Sequence, residues 1–401
     1  MLEAAGSSPA TLTIFLGGEK LPIFIFLEVL FLTEKILHVV RPAQGGMLKH
    51  LETLFQGMGK EYHLYLAAPP SYDSYLLRAA AQKRYLLPLD ESLHPLENWR
   101  IACSLAQFIS QEKIDLVHTH GIRAGIVGQA AALMAGRGKV VATMHNMINY
   151  GMMPFSKVFQ TMHGILMRRT VHTLITVSEA IKKEVIKYRL FPPEMVTVIY
   201  NGVDVNLFSK QSCLDRKISF NGPVIGTVAR LEPAKGIKYL LDAAAIIDKE
   251  YPWVYFVIVG DGPQRNFLQQ YAARLGIDKK VFFLGFRDDV PNILPLFDIA
   301  VIPSVQEGLS IFCLEALAAG CPVVASDVGG LTEIIIPCKN GLLVPPKDPR
   351  ALADALVALL KNRILAAALG RQGRKMVEQK FTYEKMLERT MKIYAQLLQP
   401  E

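Results

Sequence analysis

The chain has no paired-cysteine pattern. Its five cysteines, Cys103, Cys213, Cys313, Cys321 and Cys338, are odd in number, and no CxxC occurs. A disulfide framework and a cysteine zinc site are set aside on that ground, and a reducing, cytoplasmic compartment fits best. A long apolar run is also missing. The stretch LPIFIFLEVLFL at 21–32 covers twelve positions and is broken by Glu28, short of the roughly 17–25 residues that a membrane-crossing helix needs. No basic segment precedes it and no small-residue cleavage site follows, which argues against a signal peptide. Residues 1–33 therefore read as an extension ahead of the fold, with a weak membrane-surface anchor as the alternative.

What is present is a globular composition. Of 401 residues, 51% are hydrophobic and 20% charged, enough for two cores and too long for one ordinary domain. Lys and Arg exceed Asp and Glu by 44 to 36, a net charge of +8. That modest excess suits an anionic small substrate, a lipid-phosphate surface or nucleic acid, or it serves solubility alone.

Short β-branched apolar runs recur along the first half: KILHVV (35–40), YHLYLA (62–67), IDLVHTH (114–120), KVVATMH (139–145), HTLITVS (172–178) and MVTVIYNG (195–202). Segments of helical period separate several of them, such as 96–110. A polar stretch at 209–222 breaks the pattern and reads as a linker. A second series follows: PVIGTVAR (223–230), WVYFVIVG (253–260), KVFFLG (280–285), DIAVIPS (298–304), CPVVAS (321–326) and GLLVPP (341–346). Buried strands alternating with helices predict parallel sheets covered on both faces. The fold class is thus α/β, with two doubly wound Rossmann-like domains, 34–208 and 223–381, and a terminal helix at 382–401. Ligands in such sheets bind beyond the carboxyl ends of the strands, so two facing halves would share one ligand in the cleft between them.

Several strand-end groups carry chemistry. Gly45 and Gly46 precede a helix starting near Met47, an arrangement that either cradles an anion or makes a plain tight turn. Arg230 ends one strand and Lys235 follows in the next loop; two converging cations suit a diphosphate, unless both are solvated surface charges. In QEGLSIFCLEALAAG (306–320), Glu307 falls before a helix and Glu315 about two turns inside it. Nine helical residues would set their Cα atoms roughly 12 Å apart. Glycosidase carboxyl pairs lie about 5–5.5 Å or about 6.5–9.5 Å apart, so the natural reading gives each glutamate its own hydroxyl to hold. Backbone N–H groups of Gly308, Leu309 and Ser310 would face the cleft. Glu315, if buried, must have a partner. His118, His120 and His145 end strands of the first half; they are structural or catalytic, with His118 and His120 assigned to the acceptor side, and no carboxylate or cysteine completes a zinc set around them. The Met-rich segment 147–170, ending in Arg168 and Arg169, is either a helix packed on its sheet or a basic amphipathic surface for an anionic membrane.

Taken together, VARLEPAKG, VGDGP (259–263), DIAVIPS, EGLSIFCLEALAAGCPVVASDVGGLTEII, NGLLVPPKD, HVVRPAQGGM and VIYNGVD (198–204) resemble a family 4 glycosyltransferase of the GT-B fold over about residues 34–400. The resemblance implies a retaining transferase that moves a sugar from a UDP- or GDP-linked donor to a glycan or lipid-linked acceptor in polysaccharide or glycolipid synthesis. It would work without metal or other cofactor and without nucleic acid. The compartment expected is the cytoplasm, and if the Met-rich segment is a membrane surface rather than a packed helix, contact would be peripheral, at the inner face of the plasma membrane. It implies that Arg230 and Lys235 bind the diphosphate, that Glu315 holds the ribose, and that Glu307 and the amides after it attend the sugar. Gly45 and Gly46 would line the phosphate and acceptor side, and His145 would contact the donor sugar. Asn146 stands where an aromatic residue or His is usual, which weakens that last role. The final helix would cross back onto the first domain. Competing functions are an epimerase or a phosphorylase on the same plan, the latter without a visible lysine motif, and a non-catalytic sugar- or lipid-binding scaffold.

Overall fold

A computed structural model describes residues 34–41, 45–70, 77, 80–89, 95–147, 156–208 and 220–399, together with the backbone of 13–16 and 19–22. The apolar run at 23–32, most of the linker at 209–219, and 148–155 of the Met-rich segment lie outside the described residues.

Two short antiparallel strands, β1 (Thr13–Leu16) and β2 (Glu19–Pro22), form a hairpin within the N-terminal extension. The first large sheet is then built from β3 (Lys35–Val40), β4 (His63–Ala68), β5 (Lys83–Leu86), β6 (Leu116–His120), β7 (Lys139–Met144), β8 (Thr173–Thr176) and β9 (Val196–Val198). Its order is β5-β4-β3-β6-β7-β8-β9, every pair parallel. β3 and β6 are buried at nearly every position rather than at alternate ones, because helices cover both faces. Those helices are α1 (Gly46–Met58), α2 (Pro95–Glu112), α3 (Ile122–Ala135), α4 (Ser156–Thr170) and α5 (Glu179–Lys187). On α1 the buried set His50, Leu51, Leu54, Phe55 and Met58 repeats at helical spacing, a stripe that seats it on the sheet.

The second sheet uses β10 (Val224–Val228), β11 (Tyr255–Val259), β12 (Val281–Gly285), β13 (Ile299–Ile302), β14 (Val323–Ser326) and β15 (Leu342–Val344), ordered β12-β11-β10-β13-β14-β15 and again all parallel. Around it lie α6 (Ile237–Asp248), α7 (Arg265–Arg274), α8 (Ile311–Ala318), α9 (Pro349–Lys361) and α10 (Arg363–Lys380). In each sheet the first strand of the domain sits in the middle and the chain winds outward in both directions. The strand order therefore reverses between β3 and β6, and again between β10 and β13, which opens a crevice at the carboxyl ends of those strands. The expectation of two Rossmann-like halves facing across a cleft is met.

The last helix, α11 (Tyr383–Leu398), belongs by packing to the first domain. Its buried stripe is Met386, Leu387, Thr390, Ile393 and Tyr394, and all of these but Thr390 lie in one apolar cluster with Leu51, Leu54 and Phe55 of α1. The crossing is fastened where the Val203 N–H donates to Phe381 O at 3.0 Å and the Tyr383 N–H donates to Val203 O at 3.2 Å.

Candidate active site

Loops from both switch points converge on one cavity of about 330 Å³. Arg41, Gly45, Gly46 and Lys49 reach it from the β3–α1 connection, and His145 and Asn146 from the end of β7. Arg230 and Lys235 enter from the β10–α6 loop, and Glu307, Leu309, Ser310 and Glu315 from the β13–α8 loop and α8 itself. A wider hollow of about 650 Å³ by Arg137, Lys139 and Leu397 holds none of these groups.

The local geometry follows from the sequence. Pro303 follows the end of β13, and Ser310 caps α8 by accepting the Cys313 N–H at 3.2 Å, as Ser does at a helix start. The helix thus begins at Ile311. Glu307 remains in the loop and Glu315 lies one turn inside. Lys235 ends a 3-10 turn whose next residue, Gly236, has φ 65° and would place a Cβ 1.9 Å from Pro303 O, so only glycine fits there.

Each glutamate has its own lysine. Lys235 Nζ donates to both oxygens of Glu307, at 2.9 and 2.8 Å, and Ser304 Oγ donates to Oε2 at 3.0 Å. Glu315, 4% exposed, accepts from Lys49 of the other domain. Burial pushes the Glu315 carboxyl above its usual range, and Lys49 pulls it back in part. Arg230, with Glu232 3.7 Å away, is more open than Lys235. Gly45, at φ 67°, precedes the first residue of α1, and Gly46 rests against Ile311 of the facing domain. At Gly308 the domains meet backbone to backbone, where a Cβ would stand 2.2 Å from His145 O.

This arrangement has counterparts. The model of Glycosyltransferase Family 4 matches residues 44–207, and that of Glycosyl transferases group 1 matches residues 215–376. An Escherichia coli UDP-Gal:alpha-D-GlcNAc-diphosphoundecaprenol alpha-1,3-galactosyltransferase is 32% identical over 280 residues, covering 67% of this chain and 72% of its own. The chain belongs to the family 4 glycosyltransferases. An uncharacterised glycosyltransferase of Methanocaldococcus jannaschii is 28% identical over 380 residues, 87% of this chain and 94% of its own. Anabaena HepE, solved in complex with UDP and glucose, matches the fold with TM-score 0.80 at 23% identity, covering 91% of this chain and 100% of its own.

Behind the cleft of this glycosyltransferase lies a group of five imidazoles. His118 is 1% and His120 0% exposed, so the structure places them beneath the cleft wall rather than facing an acceptor. His118 bonds Tyr394 Oη through Nδ1 and Thr143 Oγ1 through Nε2. His120 joins His38 at 3.0 Å and His145 at 3.2 Å. Each of these contacts unites one N–H with one lone pair, which neutral rings supply. Burial first, and neighbouring imidazoles second, push His118 and His120 well below the ordinary histidine value; His38 falls to about 3. His50 falls to about 4 by burial, against a raising influence from Asn201. His145, partly open to the cleft, is lowered by burial, His50 and Arg41. Ring nitrogens of His38, His118 and His120, and of His50, His120 and His145, come within 4.8 Å of one another. An all-imidazole set favours late transition metals, but among the described residues no carboxylate joins either group, and Arg41 adds positive charge beside the second.

Sequence reasoning missed Lys49, Ser304, His38 and His50. For Lys49 a signal existed: a buried glutamate requires a cation, and Lys49 is the lysine in the first turn of the helix that opens after Gly45 and Gly46. His38 is placed by register, since β3 pairs it directly with His118 of β6.

Proposed function

We propose that this glycosyltransferase retains anomeric configuration and moves a hexosyl group from a UDP- or GDP-linked sugar to a glycan or lipid-linked acceptor. The observation that carries the reading is the convergence of Arg230, Lys235, Glu307 and Glu315 on one cavity at the switch points of two facing sheets. In this reading Arg230 and Lys235 take the diphosphate, Glu315 the ribose, and Glu307 with the Gly308–Ser310 backbone the sugar. Gly45 and Gly46 bring the start of α1 to the phosphate, and His145 lies beside the sugar. The C1–O bond to the diphosphate breaks as the acceptor oxygen bonds C1 from the same face, and the acceptor proton passes to the departing phosphate oxygen. No protein nucleophile is required, so the residues act through charge placed in advance of the reaction. Domain closure keeps water from the activated sugar.

A panel of UDP- and GDP-sugars, scored for slow hydrolysis without acceptor, tests the donor. Proton NMR of the first transfer product tests retention. Conversion of the donor to a different sugar with no acceptor present would instead identify an epimerase, and inverted product would overturn the stereochemical reading.

The acceptor end is suggested by α4. Its face carries Met162, 66% exposed, and Ile165, 42% exposed, with Arg168 and Arg169 in its last turn. Apolar and basic groups on one exposed face suit an anionic membrane and a lipid-linked acceptor. Among the described residues no helix is long and apolar enough to cross a membrane, so contact would be peripheral. Co-sedimentation with anionic vesicles at low salt tests this, and no binding there would refute it.

A further inference from the structure

Outside the cleft, a second polar contact joins the domains. Helix α5 begins after Ser178, whose Oγ accepts the Ile181 N–H at 3.3 Å. The two preceding helical N–H groups have no partner within α5, as at any helix start. They donate to a carboxylate from the other domain: Ala180 N–H to Glu333 Oε1 at 2.8 Å and Glu179 N–H to Glu333 Oε2 at 2.9 Å. Tyr200 Oη completes the grip, donating to Oε2 at 3.0 Å. Burial and Glu333 push the Tyr200 phenol above its ordinary value, which keeps it a donor. An anion at a helix N-terminus also meets the positive end of the helix dipole.

The position of Glu333 gives this contact a consequence. It lies in the short helical turn Leu331–Ile334, directly after Gly329 and Gly330. The Gly330 N–H donates to Glu307 O at 3.3 Å, and a Cβ on Gly330 would stand 2.1 Å from Gly308 O. The segment that grips α5 thus also supports the backbone of the Glu307–Gly308 loop. On the other side, the Tyr200 ring packs at 5.2 Å on Phe381, where the chain crosses between domains. The cross-domain ion pair, Lys49–Glu315, lies inside the cavity, where a ligand must compete with it. Neither Glu333 nor Tyr200 lines the cavity, so their contact survives ligand entry.

We infer that Glu333 is a positioning residue: by capping α5 across the domain boundary, it holds the two halves closed with the Glu307–Gly308 loop in register against His145. This rests on the glycosyltransferase reading of the cleft for its catalytic consequence, but not for its structural one.

The test uses the full chain with Glu333→Ala, Glu333→Gln and Tyr200→Phe. Amide hydrogen exchange over 178–187 should rise about tenfold in Glu333→Ala, on the scale of lost charged hydrogen bonds, and less in Glu333→Gln, which keeps one acceptor oxygen. With UDP-glucose as the donor probe, kcat should fall about fivefold or more while the UDP dissociation constant stays within about twofold, and hydrolysis should gain on transfer. Tyr200→Phe should move every readout in the same direction by less, and it serves alone if Glu333→Ala does not fold. Unchanged exchange at the start of α5, or kcat and UDP affinity lost together, overturns the inference. If the wild-type chain neither binds nor turns over any of the UDP- and GDP-sugars of the panel, the donor reading fails, and the exchange measurement still decides whether Glu333 caps α5.

Discussion

Acid should destabilise this protein through its buried histidines. His38, His50, His118, His120 and His163 are all 6% exposed or less, and burial depresses each: His38 to about 3, His50 and His163 to about 4, and His118 and His120 well below 6.5. A depressed folded value means that the unfolded chain binds these protons first. Stability is therefore intact above about pH 6.5 and falls as pH drops below it. At about pH 5.5, an imidazole that titrates near 6.5 only when unfolded costs the native state about 1.4 kcal/mol. Five such groups cost about 7 kcal/mol, against a typical total of about 5–15 kcal/mol. Glu315 works the other way, because burial raises its folded value and it accepts a proton in the fold before it would in the unfolded chain. That offset belongs to one group against five. Urea melts followed by circular dichroism at about pH 7.5 and about pH 5.5 measure the difference. His163→Gln, at a ring that does not line the cavity, should recover about 1.4 kcal/mol of the loss. A fall below about 2 kcal/mol over that range would refute the claim that these rings are buried and neutral in the native protein.

Lys235→Ala and Glu315→Ala should each lower sugar transfer at least about tenfold, the scale of one lost charged contact; wild-type rates in both would remove the site assignment. Lys49→Met strands Glu315, and because Lys49 is 35% exposed the cost should be about 1–3 kcal/mol rather than the full penalty of a deeply buried pair. The Glu315 carboxyl should then titrate higher still, as thermal melts against pH would show. Gly308→Ala places a methyl group 2.2 Å from His145 O and should block closure, dropping transfer at least about tenfold with little change in melting temperature. Turnover should survive EDTA, since the proposed mechanism assigns the diphosphate charge to Arg230 and Lys235; loss of activity restored by a divalent ion would redirect attention to the imidazole groups.

The strands were legible because both sheets are covered on both faces. β13 is a continuous apolar run and β14 is one but for its last residue, Ser326, and such runs stand out without any alternation. β5 was missed because an edge strand with the sequence KRYL has exposed and half-exposed positions and so lacks an apolar signature. Glu315 was expected about two turns inside its helix and lies one turn inside, because Leu309 continues the apolar pattern although Ser310 supplies the cap. Partnerships across the cleft were the least legible. Lys49 and Glu315 are 266 residues apart, and Glu333 and Ala180 153 apart, and nothing in local pattern or propensity encodes such a pairing. The need for a partner could be read from the burial of a carboxylate; its identity required the fold.

The two glutamates that first suggest an acid–base pair are electrostatically separate. Glu307 is balanced within its own domain by Lys235 and Ser304, and Glu315 by Lys49 from across the cleft. On the proposed reading, donor binding trades these partners. A diphosphate carries more charge than one carboxylate and draws Lys235 toward itself. Glu307 is left with Ser304 and a pair of oxygens able to accept sugar hydroxyls. A ribose hydroxyl donating to Glu315 competes with Lys49 in the same way, so the nucleotide loosens one cross-domain ion pair as it enters. Closure during turnover must then rest on contacts that the ligand does not touch. Among the described residues, the grip of Glu333 on α5 and the packing of α11 on α1 meet that condition, because both lie outside the cavity where the charges are exchanged.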